Sequence, residues 1–136
     1  MSQILDRTES ETRPQRANSF LRSLAYALRG IWSAFKSERN LKIHAAALCV
    51  VIALGVYLGL ETLEWGLVIL ALGFVIVTEL INTAVERIGD KAANGMVSHT
   101  IGKAKDISAA AVLISALTAL AIGVIFLIIP LVQKIF

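Results

Sequence analysis

The stretch TELINTAVERIGDKA places Glu79, Asn82, Glu86 and Asp90 at offsets of 0, +3, +7 and +11. At about 100° per residue in a helix, the four fall within about 80° of one another, with Thr83 beside them. Glu79 and Glu86 are then separated by about 10.5 Å of helix rise at ~1.5 Å per residue. Such a stripe suits three kinds of work: an interhelical hydrogen-bond network, proton or ion conduction, or acid–base and metal chemistry. Two more carboxylates stand at the edges of neighbouring apolar runs, Glu38 in FKSERNLKIH and Asp106 in GKAKDISAAAV. Hard oxygen donors converging there suit Mg²⁺, which takes one or two carboxylates together with substrate phosphates. Lys103 and Lys105 add positive charge where a nucleotide's phosphates would need it.

The elements that must position these residues are apolar and helical. Of the 136 residues, 57% are hydrophobic and 17% charged, and the mean hydropathy is +0.74. A small soluble domain cannot hide that much apolar surface. Ile43 to Leu60 carries no charge if His44 is neutral, Trp65 to Val85 carries only Glu79, and Ile107 to Val132 carries none. Each run meets the roughly 20 apolar residues that a spanning helix needs, the first narrowly. The spans are expected at about 43–60, 65–88 and 106–132, with Ser108 as a cap on the third and a stop near Pro130. Phe20, Leu24, Leu28, Ile31 and Phe35 recur at three- and four-residue steps, which predicts an amphipathic interfacial helix over about 18–37. Residues 1–17 mix both charge signs without an apolar face and are expected to form a mobile polar tail. The reading is an all-α membrane protein with one domain over 18–136.

Arginine and lysine set the orientation. They crowd the N-terminal region and the 86–106 loop, are missing from the 61–64 turn, and leave only Lys134 at the C-terminal end. The positive-inside rule therefore puts the N-terminus and the second loop in the cytoplasm and the C-terminus outside. Gly55 and Gly59 form a GxxxG, and Ala111, Ser115, Ala119 and Gly123 form a four-residue ladder. With so small a bundle, these favour a homo-oligomer.

Absent motifs narrow the chemistry. There is no GxxxxGK[ST], no protein-kinase signature and no GxSxG, so a P-loop site and a nucleophile elbow are excluded. His44 and His99 are isolated, without the neighbours that zinc catalysis requires. Cys49 lies in an apolar run and reads as a small hydrophobe. The basic residues flank membrane-length runs, so their partner is a membrane surface and not nucleic acid. The acidic stripe stops at Glu79, with no ionisable group from Trp65 to Thr78. A one-ended polar cavity fits a site better than an ion conduit or a scaffold.

Glu79-Leu80-Ile81-Asn82-Thr83-Ala84-Val85-Glu86 in the second span, followed by Ala104-Lys105-Asp106-Ile107-Ser108-Ala109-Ala110-Ala111-Val112-Leu113 opening the third, resembles the bacterial membrane lipid kinases. That family contains diacylglycerol kinase and undecaprenol kinase, and the resemblance covers about residues 18–132. It implies ATP-dependent phosphorylation of a membrane lipid alcohol in the bacterial cell membrane by a homotrimer with Mg²⁺ as cofactor. It implies Glu79 as general base at the lipid hydroxyl and Asn82 as its polar neighbour. Glu38 and Glu86 are implied as the carboxylates that hold the metal of Mg-ATP, and Tyr26, Lys105 and Asp106 as further nucleotide contacts. Ser37-Glu38-Arg39-Asn40 with Lys42 and His44 is similar to the Gram-positive undecaprenol kinase branch. Undecaprenol is therefore the expected substrate, and diacylglycerol the alternative.

Overall fold

The computed structural model describes residues 13–93 and 98–136, with side chains described from Ser19 onward. Residues 1–12, the larger part of the expected tail, lie outside the described residues. The chain divides after Ser37 into two units.

The first unit is one helix, α1 (Arg13–Ser37). It begins inside the stretch expected as tail. Pro14 stands at its second position, where a missing N–H loses no helix hydrogen bond. Phe20, Leu24, Leu28, Ile31 and Phe35 are all exposed. Trp32 is exposed too, and the Arg29 guanidinium lies 5.5 Å from the centre of the Tyr26 ring.

The second unit begins at Glu38, whose extended backbone (φ −91°, ψ 121°) precedes α2 (Arg39–Leu58). α3 (Thr62–Ala93) and α4 (His99–Gly123) follow, and a single π-helical turn (Val124–Ile128) leads into α5 (Ile129–Ile135). No strand occurs among the described residues. Among the described residues, three helical stretches are long and apolar enough to cross a membrane: Arg39–Leu58, Thr62–Ala93 and the continuous His99–Ile135. Only 11%, 33% and 11% of their apolar windows are buried within the chain. The rest needs a bilayer or another subunit to cover it.

Three local rules shape this bundle. α2 ends on Gly59, at φ +74°, a left-handed conformation open to glycine at little cost. The Gly59 N–H donates to the Gly55 carbonyl at 3.0 Å, and the Leu60 N–H to the same oxygen at 3.1 Å. A Cβ on buried Gly55 would stand 2.7 Å from both the Leu60 Cδ1 and the Trp65 Cη2. Both glycines of the expected oligomer motif are thus occupied in turning the chain. α3 opens with half a capping box, the Glu61 N–H donating to the Glu64 carboxylate at 2.8 Å.

The third span runs through Pro130, where a stop was expected. Proline removes one hydrogen bond and crowds the carbonyl four residues back, and the π turn immediately before it absorbs both effects without ending the helix. α4 also starts seven residues ahead of the expected 106, which leaves Ser108 inside the helix instead of capping it. α3 and α4 share the most extensive interface. The Thr78 and Ser115 hydroxyls meet across it at 2.7 Å, so Ser115 of the small-residue ladder also works within the chain.

Candidate functional site

The expected stripe is one face of α3, and the bundle divides its members by burial. Glu79, Asn82 and Thr83 are 2%, 7% and 5% exposed. Glu86 is half-buried, and Asp90 is exposed at the polar end of the helix. Below Glu79 the same face continues as Val75, Ala71 and Val68, all buried. The face therefore changes character at Glu79, apolar on one side and polar on the other.

Asn82 is held at both ends of its amide. Its Nδ2 donates to the Glu86 Oε1 at 3.1 Å, and its Oδ1 accepts from the Ser108 hydroxyl at 2.6 Å. Ser108 is also 2.8 Å from the Lys105 carbonyl on its own helix, so its one proton is shared between two acceptors. This chain fixes Glu86 relative to α4. Ser108 was expected only as a cap. Its place in the network follows from α4 extending about two turns further than the apolar run.

Glu79 is different. Its Oε2 is buried and has no hydrogen-bond partner among the described residues. A buried oxygen left unpaired costs roughly 1–3 kcal/mol, more when charged, so it calls for a proton or a ligand atom that the chain itself does not provide.

Glu38 and Lys105 are each held in an ion pair. Glu38 makes no helix-capping bond; instead its Oε1 lies 3.4 Å from the Arg87 guanidinium. That contact ties the start of α2 to the turn of α3 that carries Glu86. Lys105 donates to the Asp90 carboxylate at 2.7 Å. Gly89 allows this approach, since a Cβ there would stand 3.0 Å from Ile101 and 3.5 Å from the Lys105 stem. Asp106 is exposed on α4. Tyr26 belongs to the first unit. No three acidic, histidine or cysteine groups converge as a cation site among the described residues. Of the carboxylates expected to converge, Glu38, Glu86 and Asp90 stand instead in separate pairs, with Arg87, Asn82 and Lys105.

A buried, unpaired carboxylate thus stands beside an oriented amide and a second carboxylate, on helices long and apolar enough to cross a membrane. The sequence profile described as prokaryotic diacylglycerol kinase matches residues 25–127, and the chain belongs to that family of lipid kinases. It is 36% identical over 118 residues to the undecaprenol kinase of Bacillus subtilis, covering 86% of this chain and 94% of that one. It is also 36% identical to the diacylglycerol kinase of Synechocystis, over 86% of this chain and 67% of the relative. The diacylglycerol kinase of Haemophilus influenzae matches at 36% over 96 residues, 70% of this chain and 80% of the relative.

Proposed function

We propose that this protein transfers the γ-phosphoryl group of ATP to the hydroxyl of a membrane lipid alcohol, undecaprenol in preference to diacylglycerol. The observation that carries the reading is the buried, unpartnered Glu79 Oε2 on the face that also holds Asn82 and Glu86. The lipid oxygen attacks the γ-phosphorus, the bond to the β-phosphate bridge breaks, ADP leaves, and the hydroxyl proton passes to Glu79. Such transfer depends on positioning and electrostatics more than on covalent work by the protein. Asn82, held by Ser108, orients Glu86 and keeps the floor of the site in one arrangement.

Glu38 and Glu86 would hold Mg²⁺. The donor set fits: this ion accepts one or two carboxylates and completes its shell with water and phosphate, so a pair is enough where a third protein ligand is lacking. When bound, the ion offsets charge on the transferring phosphoryl group. Lys105, Asp106 and Tyr26 would contact the nucleotide, whose phosphates compete with Asp90 for the Lys105 ammonium. The N-terminus and the α3–α4 loop face the cytoplasm, where ATP is found, and the C-terminus faces outward.

The active form is a homotrimer. Leu70, Phe74, Val77, Ile81, Ala84 and Ile88 recur at steps of four and three and are all exposed, on the side of α3 opposite Glu79. A heptad ridge of this kind is what self-associating helices present. The preference for undecaprenol draws on the Bacillus relative, matched along almost its whole length. The decisive experiment is ATP-dependent labelling of lipid by the purified protein, with undecaprenol and diacylglycerol competing at equal mole fraction. Labelling of neither refutes the reading, and a clear win for diacylglycerol reverses the substrate.

A further inference from the structure

The two ion pairs of the site are unequal. Lys105 meets Asp90 at 2.7 Å, a short charge-assisted bond. The Arg87 Nη2 lies 3.4 Å from the Glu38 Oε1, longer than the roughly 2.7–2.9 Å of a good bond between charged groups. The Arg87 side chain is 46% exposed and that of Glu38 is 28% exposed. A long ion pair in contact with water contributes little, so a better anionic partner can take the guanidinium from Glu38 at small cost.

The position of Arg87 says which anion that is. Arg87 follows Glu86 directly and touches Glu38, so it stands with both carboxylates proposed to hold the metal of Mg-ATP. Asp90 is three residues further along α3, about one turn. Residues three apart are neighbours on a helix surface, so the lysine expected at the nucleotide, Lys105, is tethered through Asp90 beside Arg87. In phosphoryl-transfer enzymes the ion held by such carboxylates lies on the β- and γ-phosphate oxygens. A cation that shares one of those carboxylates is therefore placed against the same phosphates. Arginine suits the task, because its planar fork donates to two phosphate oxygens at once. Its charge also offsets the repulsion of a polyphosphate by Glu38 and Glu86.

We propose that Arg87 binds the β- and γ-phosphates of ATP, and that Glu38 holds its guanidinium until the nucleotide takes it. The inference rests on the lipid-kinase reading and adds to it a phosphate contact and an exchange of partners. Arg87 forms no covalent bond; it donates N–H groups to phosphate oxygens in place of the Glu38 carboxylate. Once the guanidinium has moved, that carboxylate is left for the divalent ion. Glu38 thus opposes nucleotide binding where the ion is missing and favours it where the ion is present.

This double role gives the test its sign. Equilibrium dialysis measures the binding of radiolabelled ATP and AMP to the full-length protein in phosphatidylcholine nanodiscs, in EDTA and in Mg²⁺. In EDTA, Arg87→Met is expected to weaken ATP binding about tenfold or more, the worth of a hydrogen bond to a charged group, and to leave AMP binding within about twofold. Arg87→Lys is expected to recover part of the loss, since it keeps the charge without the fork. Glu38→Ala is expected to tighten ATP binding in EDTA about 2- to 5-fold, the worth of the exposed pair it removes, and to weaken it in Mg²⁺. In the Glu38→Ala background, Arg87→Met should still cost ATP affinity. No loss in Arg87→Met, or equal losses on ATP and AMP, overturns the phosphate contact. A loss that vanishes in the Glu38→Ala background also overturns it and leaves Arg87 a positioning residue for Glu38. Weaker ATP binding by Glu38→Ala in EDTA overturns the exchange, as does ATP binding that needs Mg²⁺ in every variant. If thermal unfolding shows that Arg87→Met does not fold, Arg87→Lys and Glu38→Ala carry the test. A wild-type protein that phosphorylates neither lipid refutes the kinase reading itself, an outcome separate from all of these.

Discussion

The two ends of the spanning bundle use polar groups in opposite ways. At the Gly59 end the polar contacts serve structure. The Gly59 and Leu60 N–H groups close α2, the Glu64 carboxylate caps α3, and the Lys134 ammonium donates to the Tyr57 carbonyl at 3.2 Å. At the other end, Asn82 is bound on both sides, yet Glu79 beside it keeps a buried oxygen without a partner. A chain this small supports three spans with few polar contacts. A carboxylate buried without a partner therefore points to chemistry, and the saturated end to scaffolding.

The largest expected effect breaks that contrast at its centre. Glu79→Gln keeps size and hydrogen bonding but removes the proton acceptor. Turnover is expected to fall about 10²- to 10⁴-fold, the usual worth of general-base catalysis, while the KM for ATP stays within about twofold, because Glu86, the carboxylate proposed to hold the metal, lies two turns away. Steady-state kinetics in micelles checks this, and turnover near wild type would remove Glu79 from the role.

Next come the two carboxylates proposed to share Mg²⁺. Glu38→Gln and Glu86→Gln are each expected to raise the KM for Mg-ATP by roughly tenfold. The double variant should depart from additivity by about 0.5–3 kcal/mol, as groups on one ligand do. Additive losses would mean that they do not share an ion. Glu38→Gln alone also weakens the contact with Arg87, so the cycle and not the single variant carries the test.

A smaller effect is expected at the saturated end, and on stability alone. Gly55→Ala pushes a methyl group against Leu60 and Trp65. Overpacking of this kind costs typically about 1–3 kcal/mol, lessened here because both neighbours are side chains that can shift. Thermal unfolding in micelles should report the loss with kcat unchanged. A tenfold fall in kcat would show that this end is coupled to the site.

Much of this was legible in the residues. Apolar runs of membrane length foretold three spans, and the offsets of Glu79, Asn82, Glu86 and Asp90 foretold their common face, because both follow from helix geometry alone. Helix ends were less legible. Hydropathy stops where the bilayer would stop, but α3 and α4 continue into polar sequence, which moved Ser108 from cap to network. Pro130 signals a stop only if no wider turn precedes it, and nothing in VIFLI announces one. The glycine motif at Gly55 and Gly59 is ambiguous in principle, since close helix packing and a left-handed cap ask for the same residue. The pairing of Glu38 with Arg87 depends on how α2 and α3 meet, a property of the assembled bundle and of no single segment.

The smallest expected effect probes the last polar contact of the saturated end. The final carbonyls of α2 lack intrahelical partners, and Gly59 and Leu60 satisfy Gly55 and Val56 but not Tyr57. Lys134 reaches that carbonyl and also lies 4.4 Å from the centre of the Tyr57 ring, so it joins the end of the third span to the end of the first. A cation at a helix C-terminus is worth about 0.3–1 kcal/mol when exposed. Lys134→Met keeps the aliphatic stem and removes only the charge and the donor. It should lower unfolding stability by no more than about 1 kcal/mol and leave kcat and both KM values unchanged. A loss that shrinks further at high salt would assign the contact to charge, whereas a salt-independent loss would assign it to the hydrogen bond, since screening weakens only the former at an exposed site. Any change in lipid KM would contradict the division of labour between the two ends, because Lys134 stands at the Gly59 end and not on the acidic face of α3.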